Sequence, residues 1–475
     1  MKYARILVPL FILRSGILMA QWQTDVRLTD DPFSSRTSQN NARCIATDGN
    51  VLHVVWFDAR DQNEEIYYER SVDGGLTWEG NVRLTDDVDF SGQPSVAVSG
   101  NDVHVIWYDN RDGNTEIYYK RSADGGSSWG SDIRLTEDNE VSWYSSLAVS
   151  DQDVHVVWTE LRDGNYEIYH KRSADGGVNW GSDVRLTDAA GDSYYPSVSA
   201  SGMAVHVGWS DYRDGANPEI YYKRSTDGGS SWEADVRLTV DPGVSQNPSV
   251  VAVGQDVHVV FEDDRSAPAE IFHKRSTDGG TTWEAEIQLT SGVNTSADPV
   301  VAASALDVFV VWDDTRNSTV DVFYKHSTDG GQSWTDDTSL TNGPETEARP
   351  FVSLSGDAVH VVWQDSRNSN NEIYYNSDPT GLINGVDGPT FDHHTFQVSP
   401  NPATDAVELI GSDLGSAQLE LTLFNAFGQL VRTESISASG GHLAKRVDIS
   451  ALTNGLYMFR LKSDEVDEVR KVEVR

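Results

Sequence analysis

Residues 120–136 read KRSADGGSSWGSDIRLT, and near-copies begin at Lys171, Lys223 and Lys274. The phrase belongs to a longer one, VHVIWYDNRDGNTEIYYKRSADGGSSW at 103–129, whose tryptophan returns as Trp56, Trp107, Trp158, Trp209, Phe261, Trp312 and Trp363. The interval is 51 or 52 residues, so the chain holds seven copies. Self-similarity at such a period marks an array of identical supersecondary units. Each copy holds four short runs rich in Val, Ile, Tyr and Trp: PSVAVS, DVHVIW, EIYYKRS and SDIRLT in the copy around Trp107. Gly, Asp, Asn and Pro separate them, and helical periodicity is absent. Four antiparallel strands of this length make a propeller blade, and seven blades fall within the usual range of about four to eight.

The ends of the array explain how it closes. The seventh copy runs through PFVSLS, VHVVW and EIYYNSD, then lacks a fourth strand. Residues 22–29, WQTDVRLT, match WGSDVRLT at 180–187 and precede the first full copy. The N-terminal stretch is therefore expected to complete blade seven, which seals the ring and removes its exposed strand edges. The expected fold class is all-β: a seven-bladed β-propeller closed by the N-terminal strand, plus a small C-terminal Ig-like β-sandwich.

The glycine turn carries a motif, Ser-x-Asp-x-Gly-x-x-Trp, in six copies: Ser71/Asp73/Gly75/Trp78, Ser122/Asp124/Gly126/Trp129, Ser173/Asp175/Gly177/Trp180, Ser225/Asp227/Gly229/Trp232, Ser276/Asp278/Gly280/Trp283 and Ser327/Asp329/Gly331/Trp334. Ser and Asp can bond turn backbone, Gly supplies a positive φ, and Trp can pin the hairpin onto the blade. A turn repeated six times is scaffold. The motif resembles the Asp-box, or bacterial neuraminidase repeat, and residues 22–378 resemble the sialidase-like propellers that carry it. The resemblance implies that the boxes lie on the face away from the ligand pocket. It says less about activity, because the same box occurs in binding proteins and other hydrolases.

Residues repeated in every blade are expected to serve the blade. His53, His104, His155, His206, His258 and His360 share one strand position, which Phe309 takes in the remaining blade, and so read as packing residues. Arg60, Arg111, Arg162, Arg213, Arg265, Arg316 and Arg367 each follow an acidic residue by two and read as loop-pinning ion pairs. Stretches such as Asp112-Gly113-Asn114 resemble calcium loops only loosely and lack the ligand spacing of an EF-hand. No metal site or cofactor is expected, calcium being the alternative kept open.

Function is expected where the symmetry breaks. The loops from the fourth strand of one blade to the first of the next vary most and should emerge opposite the Asp-boxes. Phe90, Trp143, Tyr144, Tyr194 and Tyr195 fall in three consecutive loops, a platform for stacking sugar rings or a peptide, or else caps on blade edges. Arg36 and Arg43 precede the first strand of blade one and Arg349 that of blade seven, so ring closure makes them neighbours able to clamp a carboxylate. Sialidases bind their substrate with such an arginine triad. The family's Arg-Ile-Pro motif is absent here, with Arg43-Cys44-Ile45 and Arg349-Pro350 as faint echoes, and no Tyr-Glu nucleophile pair or catalytic Asp is assigned, so the catalytic residues are unknown.

The remaining segments concern export. MKYARILVPLFILRSGILMA at 1–20 has Lys2 and Arg5 before an apolar run ending at Ala20, the pattern of a cleaved signal peptide, although Arg14 interrupts it. No later stretch reaches the roughly 18 apolar residues of a membrane span. Cys44 is the one cysteine, so no internal disulfide forms, and its apolar setting reads as a buried structural thiol. After a Gly- and Pro-containing linker at 379–394, residues 395–475 change grammar: SPNPATD at 399–405, LELTLFNAFGQLV, VDISALTNGLYMFRL and KVEVR. These resemble, in order, the sorting domain of type IX secretion cargo, with Pro400, Asn401, Pro402, Gly428, Gly455, Tyr457 and Lys471 as the matching landmarks. The resemblance implies passage through the periplasm and export by the type IX machinery of a Bacteroidetes-like bacterium; an ordinary Ig-like adhesion module is the alternative.

A formal charge of -38 opposes binding to nucleic acid or to anionic membrane. Together these features describe a secreted or surface-attached monomeric propeller that binds extracellular glycan or another surface polymer without turnover. The alternatives are an exo-acting sialidase-type glycoside hydrolase and a structural or adhesive surface protein.

Overall fold

A computed structural model describes residues 22–39, 42–265, 267–317, 319–356, 358–379 and 395–474, with breaks in the last span at 400–402, 413–417, 426–429, 438–442, 451, 454 and 463–466. The expected signal peptide lies outside the described residues, as does the expected linker beyond Pro379. The chain divides into two compact units, 1–385 and 386–475.

The first unit contains seven antiparallel sheets, one per repeat. Blade two is typical: Ser91–Ser99, Asp102–Asp109, Glu116–Ser122 and Ile133–Arg134, paired in that order. The second strand alternates core residues towards its two neighbours, so Val103, Val105 and Trp107 bury on one side and Ile106 on the other. A strand covered on both faces needs this continuous apolar run. Each first strand packs against the first strand of the next blade, and that of blade seven (Glu347–Ser355) packs against Ile45–Asp48 of blade one.

The N-terminal strand Val26–Arg27 joins blade seven at the edge of Glu372–Asp378, with Val26 opposite Tyr375 and Arg27 opposite Tyr374. Backbone bonds from Leu28 N to Ile373 O (2.8 Å) and Gln23 N to Ser377 O (2.9 Å) extend the seam. Thr47 Oγ1 adds a bond to Leu354 O at 2.8 Å between blades one and seven. The ring is closed as the repeat arithmetic requires.

The Asp-boxes are fasteners between blades. In box two, Asp124 accepts from Ser128 N (2.8 Å) and from the Ser122 and Ser128 hydroxyls, while Ser122 Oγ accepts from Gly126 N (2.8 Å). Trp129 of the same box lies edge-on to Tyr68 of the preceding blade, ring centres 4.9 Å apart. The ring packs on a core cluster shared by both blades, with its flat aromatic partner across the seam. Trp180–Tyr119, Trp283–Tyr222 and Trp78–Tyr375 repeat the contact, and Trp22 meets Tyr324 in the same way. On the same seam Lys171, Lys223 and Lys274 donate to the carbonyls of Leu135, Leu186 and Leu238 at 2.5–2.7 Å. Blade one carries Glu69 at that position, and Asn81 donates to the Leu28 carbonyl (3.2 Å) in place of the missing ammonium.

The second unit holds a three-stranded and a four-stranded antiparallel sheet. Leu409, Leu421, Leu423, Phe459, Leu461 and Val472 form its core. Among the expected landmarks, Gly455 opens the strand Gly455–Lys462 at φ +156°, Tyr457 is buried with its hydroxyl donating to Thr453 O (3.0 Å), and Lys471 pairs with Met458. Pro400, Asn401, Pro402 and Gly428 lie outside the described residues.

Candidate functional site

The two ends of the ring differ in kind. Gly125 N bonds Asn101 O at 2.8 Å, so the turn between the first two strands lies with the Asp-box. At the other end Asn114 Nδ2 reaches Asp138 O (3.0 Å) and Glu140 O (2.6 Å), tying the loop after strand two to the variable loop before the next blade. The variable loops therefore share the face opposite the boxes. The Asp-Gly-Asn side chains are spent on these protein contacts, and among the described residues no cluster of three or more His, Cys, Asp or Glu is placed to hold a metal ion.

The repeated arginines and histidines have structural partners. Arg111 grips Asp109 through Nε–Oδ1 (2.8 Å) and Nη2–Oδ2 (2.6 Å), bonds Asp132, and lies 4.5 Å over the Tyr118 ring. Trp107 Nε1 donates to the same carboxylate (2.9 Å). His104 Nδ1 meets the Tyr119 hydroxyl at 2.7 Å, and burial holds its pKa down to about 4. Cys44 is fully buried, receives the Ser38 amide at 3.2 Å, and has its thiol pushed up to about 11 by burial. None of these groups is poised to react.

The symmetry-breaking residues stand on a common backbone device. Each first strand in blades two to seven has an irregularity just before its buried segment, between Gly92 and Ser95 in blade two and between Trp143 and Ser146 in blade three. The residue inside it is Gln93, Tyr144, Tyr195, Asn247, Asp298 or Arg349, with φ between +50° and +54°. A left-handed non-glycine residue costs free energy, and its recurrence in six blades shows that the bulge belongs to the scaffold. In blades four to six the residue after the conserved Trp or Phe supports the next bulge. Ser210 Oγ accepts from Asn247 N (3.1 Å), Glu262 Oε2 from Asp298 N (3.2 Å) and Asp313 Oδ1 from Arg349 N (2.8 Å). The backbone is constant while the side chain at each bulge is free to vary.

In blades three and four that freedom is used for aromatic rings. Trp143 and Tyr144 stack at 5.4 Å, Tyr144 and Tyr195 lie 4.4 Å apart, and Tyr194 and Tyr195 6.1 Å. Tyr166 joins at 4.9 Å from Tyr194, and Tyr212 at 6.0 Å. Phe90 stacks on Tyr108 at 5.6 Å at the edge of this arc. All of them, Tyr108 included, are half-buried. Tyr166, Tyr212 and Tyr108 escaped the sequence reading, although each sits where the other copies carry a different residue type; Tyr166 takes the place of Glu64, Thr115 and Ala269 before the third strand.

Across the ring the same positions carry polar groups. Glu262 accepts from Gln246 (2.5 Å) and Asn247 (3.1 Å), and Asn247 also reaches Asp298 at 3.4 Å. Burial, reinforced by the Asp298 charge, pushes Glu262 up to about 7, and burial raises Asp298 and, strongly, Asp313. These carboxyls were not found from the sequence.

The three non-repeat arginines sit in separate settings. Arg36 pairs with Glu64 at 3.1 Å. Arg43 lies lower, in an axial cavity of about 230 Å³ lined by first strands from around the ring, and its guanidinium crosses to the Val250 carbonyl of blade five at 2.8 Å. Arg349 faces Asp298 and Asp313. Tyr108 lies near both Glu64 and Arg349, and burial pushes its phenol up to about 12.

Comparison with known proteins assigns the second unit. Residues 397–475 match the secretion system C-terminal sorting domain. That match makes this an exported chain, sorted by the type IX route to the cell surface or the medium. No curated protein matches it by sequence. Among solved structures, the polysaccharide lyase Uly1 is similar with TM-score 0.54 and 10% identity, over 75% of this chain and 99% of that one. Trypanosoma rangeli sialidase in complex with the inhibitor DANA gives 0.46 and 10%, over 82% and 85%. Hadza microbial sialidase Hz136 gives 0.46 and 11%, over 67% and 74%. At such identity the likeness to the lyase speaks for the propeller fold alone.

Proposed function

We propose that this exported propeller binds extracellular glycan on the aromatic arc of blades two to four and does so without turnover. The observation that carries the reading is the assembly of Trp143, Tyr144, Tyr194 and Tyr195, half-exposed and 4.4–6.1 Å apart, on bulges that other blades fill with Gln, Asn, Asp or Arg. Flat, partly wet rings beside hydrogen-bonding groups suit the alternating apolar and hydroxyl surfaces of sugar rings. A glycan array tests it. Binding by the wild type without product release, weakened at least tenfold in Trp143→Ala with an unchanged melting temperature, is the expected result; silence across the array would favour the adhesive alternative and overturn this one.

A sialidase-type hydrolase is the second reading, favoured by Tyr108 lying near Glu64 and Arg349. Two features weigh against it. A phenol pushed up to about 12 is a poor nucleophile, and Arg36 and Arg43 are committed to separate partners. Hydrolysis of a fluorogenic sialoside, abolished in Arg349→Ala, would establish this reading instead.

A further inference from the structure

We infer that the axial cavity binds a small organic monocarboxylate on Arg43, at a site separate from the aromatic arc and independent of the glycan reading. The cavity, about 230 Å³, is walled by first strands of all seven blades. Its lining comes from the later half of those strands, such as Val96, Ala97 and Val98 of Ser91–Ser99, which run towards the turn that lies with the Asp-box. The site therefore sits on the box side of the ring. Arg349 at its bulge and Arg36 with its Glu64 partner belong to the opposite end.

Arg43 is the one charged side chain among the lining residues, so no carboxylate there answers it. Among the described residues its guanidinium makes a single hydrogen bond, Nη2 to the Val250 carbonyl at 2.8 Å. Burial alone lowers its pKa, with no acidic group near enough to offset the loss of water. A guanidinium enclosed with most of its donors unmatched carries a desolvation cost that an anion removes. The scaffold does not require the charge. Ile45 and Val96 hold the same place opposite the second strand, so Arg43 corresponds to Pro94, and the other blades carry Ser145, Pro196, Pro248, Pro299 and Pro350 there.

A carboxylate matches the planar fork of the guanidinium, and the aliphatic side chains of Val98, Leu147, Val149 and Val253 suit a short carbon chain. One positive charge balances one negative charge. A dianion would bring an uncompensated charge into the ring, against the long-range field of a chain at -38.

The full chain is titrated calorimetrically with sodium propionate, phosphate and chloride at equal ionic strength, with its melting temperature followed in parallel. The expected result is one saturable site per chain for propionate, a melting temperature that rises with occupancy, and at least tenfold weaker binding of phosphate and chloride. Arg43→Ser, which copies Ser145, should weaken propionate at least tenfold. The double variant Ala200→Val/Ala303→Val leaves Arg43 in place and narrows the cavity with the side chain that Val98 and Val149 already carry at that register, so it should weaken propionate too. Absence of saturable propionate binding would overturn the site. So would binding untouched in Arg43→Ser, or untouched in the narrowed cavity should Arg43→Ser not fold. Tighter binding of phosphate or chloride, lost in the same variants, would overturn the carboxylate class.

Discussion

Trp22 lies edge-on to Tyr324, ring centres 5.3 Å apart, which is the contact each Asp-box tryptophan makes with the preceding blade. Residue 22 thus serves as the box tryptophan of blade seven without a box around it, from the far end of the chain. The latch is completed by Arg27 Nη2 on Glu372 Oε1 (2.6 Å), where Glu372 is fully buried. The same pair holds ordinary blades, as Arg134 on Glu116 at 2.8 Å. Arg27→Ala and Arg134→Ala should each cost about 1–3 kcal/mol by leaving a buried carboxylate short of a donor. Chemical denaturation checks it; a cost at Arg27 far below that at Arg134 would mean that the N-terminal strand does not latch the ring.

Two adjacent glycines of one box separate backbone strain from steric exclusion. Gly125 has φ +68° with only the tip of Arg70 near a prospective Cβ, at 3.8 Å. Gly126 has φ +84°, and a Cβ there would fall 1.9 Å from the Tyr68 hydroxyl. Gly125→Ala should cost about 1 kcal/mol, the usual penalty for a left-handed alanine. Gly126→Ala must also displace Tyr68 from its seam with Trp129 and should cost at least about twice as much. Equal costs, measured by thermal melting, would show that the seam gives way freely.

The blades were legible because the chain repeats them, and a repeat exposes both its strand pattern and its missing strand. Blade one was less so: where blade two places residues 93–94 between its ladder segments, blade one places 37–44, and the first strand breaks into Ser35–Arg36 and Ile45–Asp48. The aromatic members of the site stood out as loop residues. The polar wall did not, because Glu262 and Asp313 sit inside a strand that looks like scaffold. Their signal was one variable position within a constant phrase, after the Trp or Phe of each copy: Phe57, Tyr108, Thr159, Ser210, Glu262, Asp313 and Gln364. The ring contacts of Tyr166 with Trp143 and of Tyr212 with Tyr194 depend on loop geometry that no spacing in the sequence encodes.

Acid should weaken the ring. Burial holds His53, His104, His155, His206, His258 and His360 at about 4, below the ordinary value of 6.5, so the unfolded chain takes up more protons as pH falls. Their contribution is present above about 6.5 and is lost progressively down to about 4. Glu69 and Glu262 at about 7, Glu347 at about 6 and the buried Asp313, raised well above the usual carboxylate range, act in the opposite sense, being protonated first in the folded state. With His170 and His273, which burial lowers further, eight histidines stand against these four carboxyls, so the melting temperature should fall between pH 7 and pH 4. His104→Phe, which copies Phe309 of blade six, should flatten that dependence by about one proton; an unchanged slope would show that His104 does not titrate in the unfolding equilibrium.

Asp313 offers the sharpest test of whether the polar wall costs stability. Its Oδ1 accepts the Arg349 amide at 2.8 Å, and burial together with the Asp298 charge raises its pKa well above the usual carboxylate range. A group raised in this way favours the folded state where it is protonated and loses that advantage as pH rises through its folded value. Ser210 supports the Asn247 bulge with a neutral acceptor, so Asp313→Ser should keep the amide satisfied while removing the buried acid. The expected outcome is a higher melting temperature than wild type at pH 8 and little difference at pH 5. Asp313→Ala, which leaves the amide without its acceptor, should fall about 1–3 kcal/mol below the serine variant at both. A serine variant less stable than wild type at pH 8 would mean that the carboxylate itself holds the Arg349 bulge. Sites kept for ligands commonly carry such a penalty, and here it can be read from one side chain whose neutral counterpart the protein already contains.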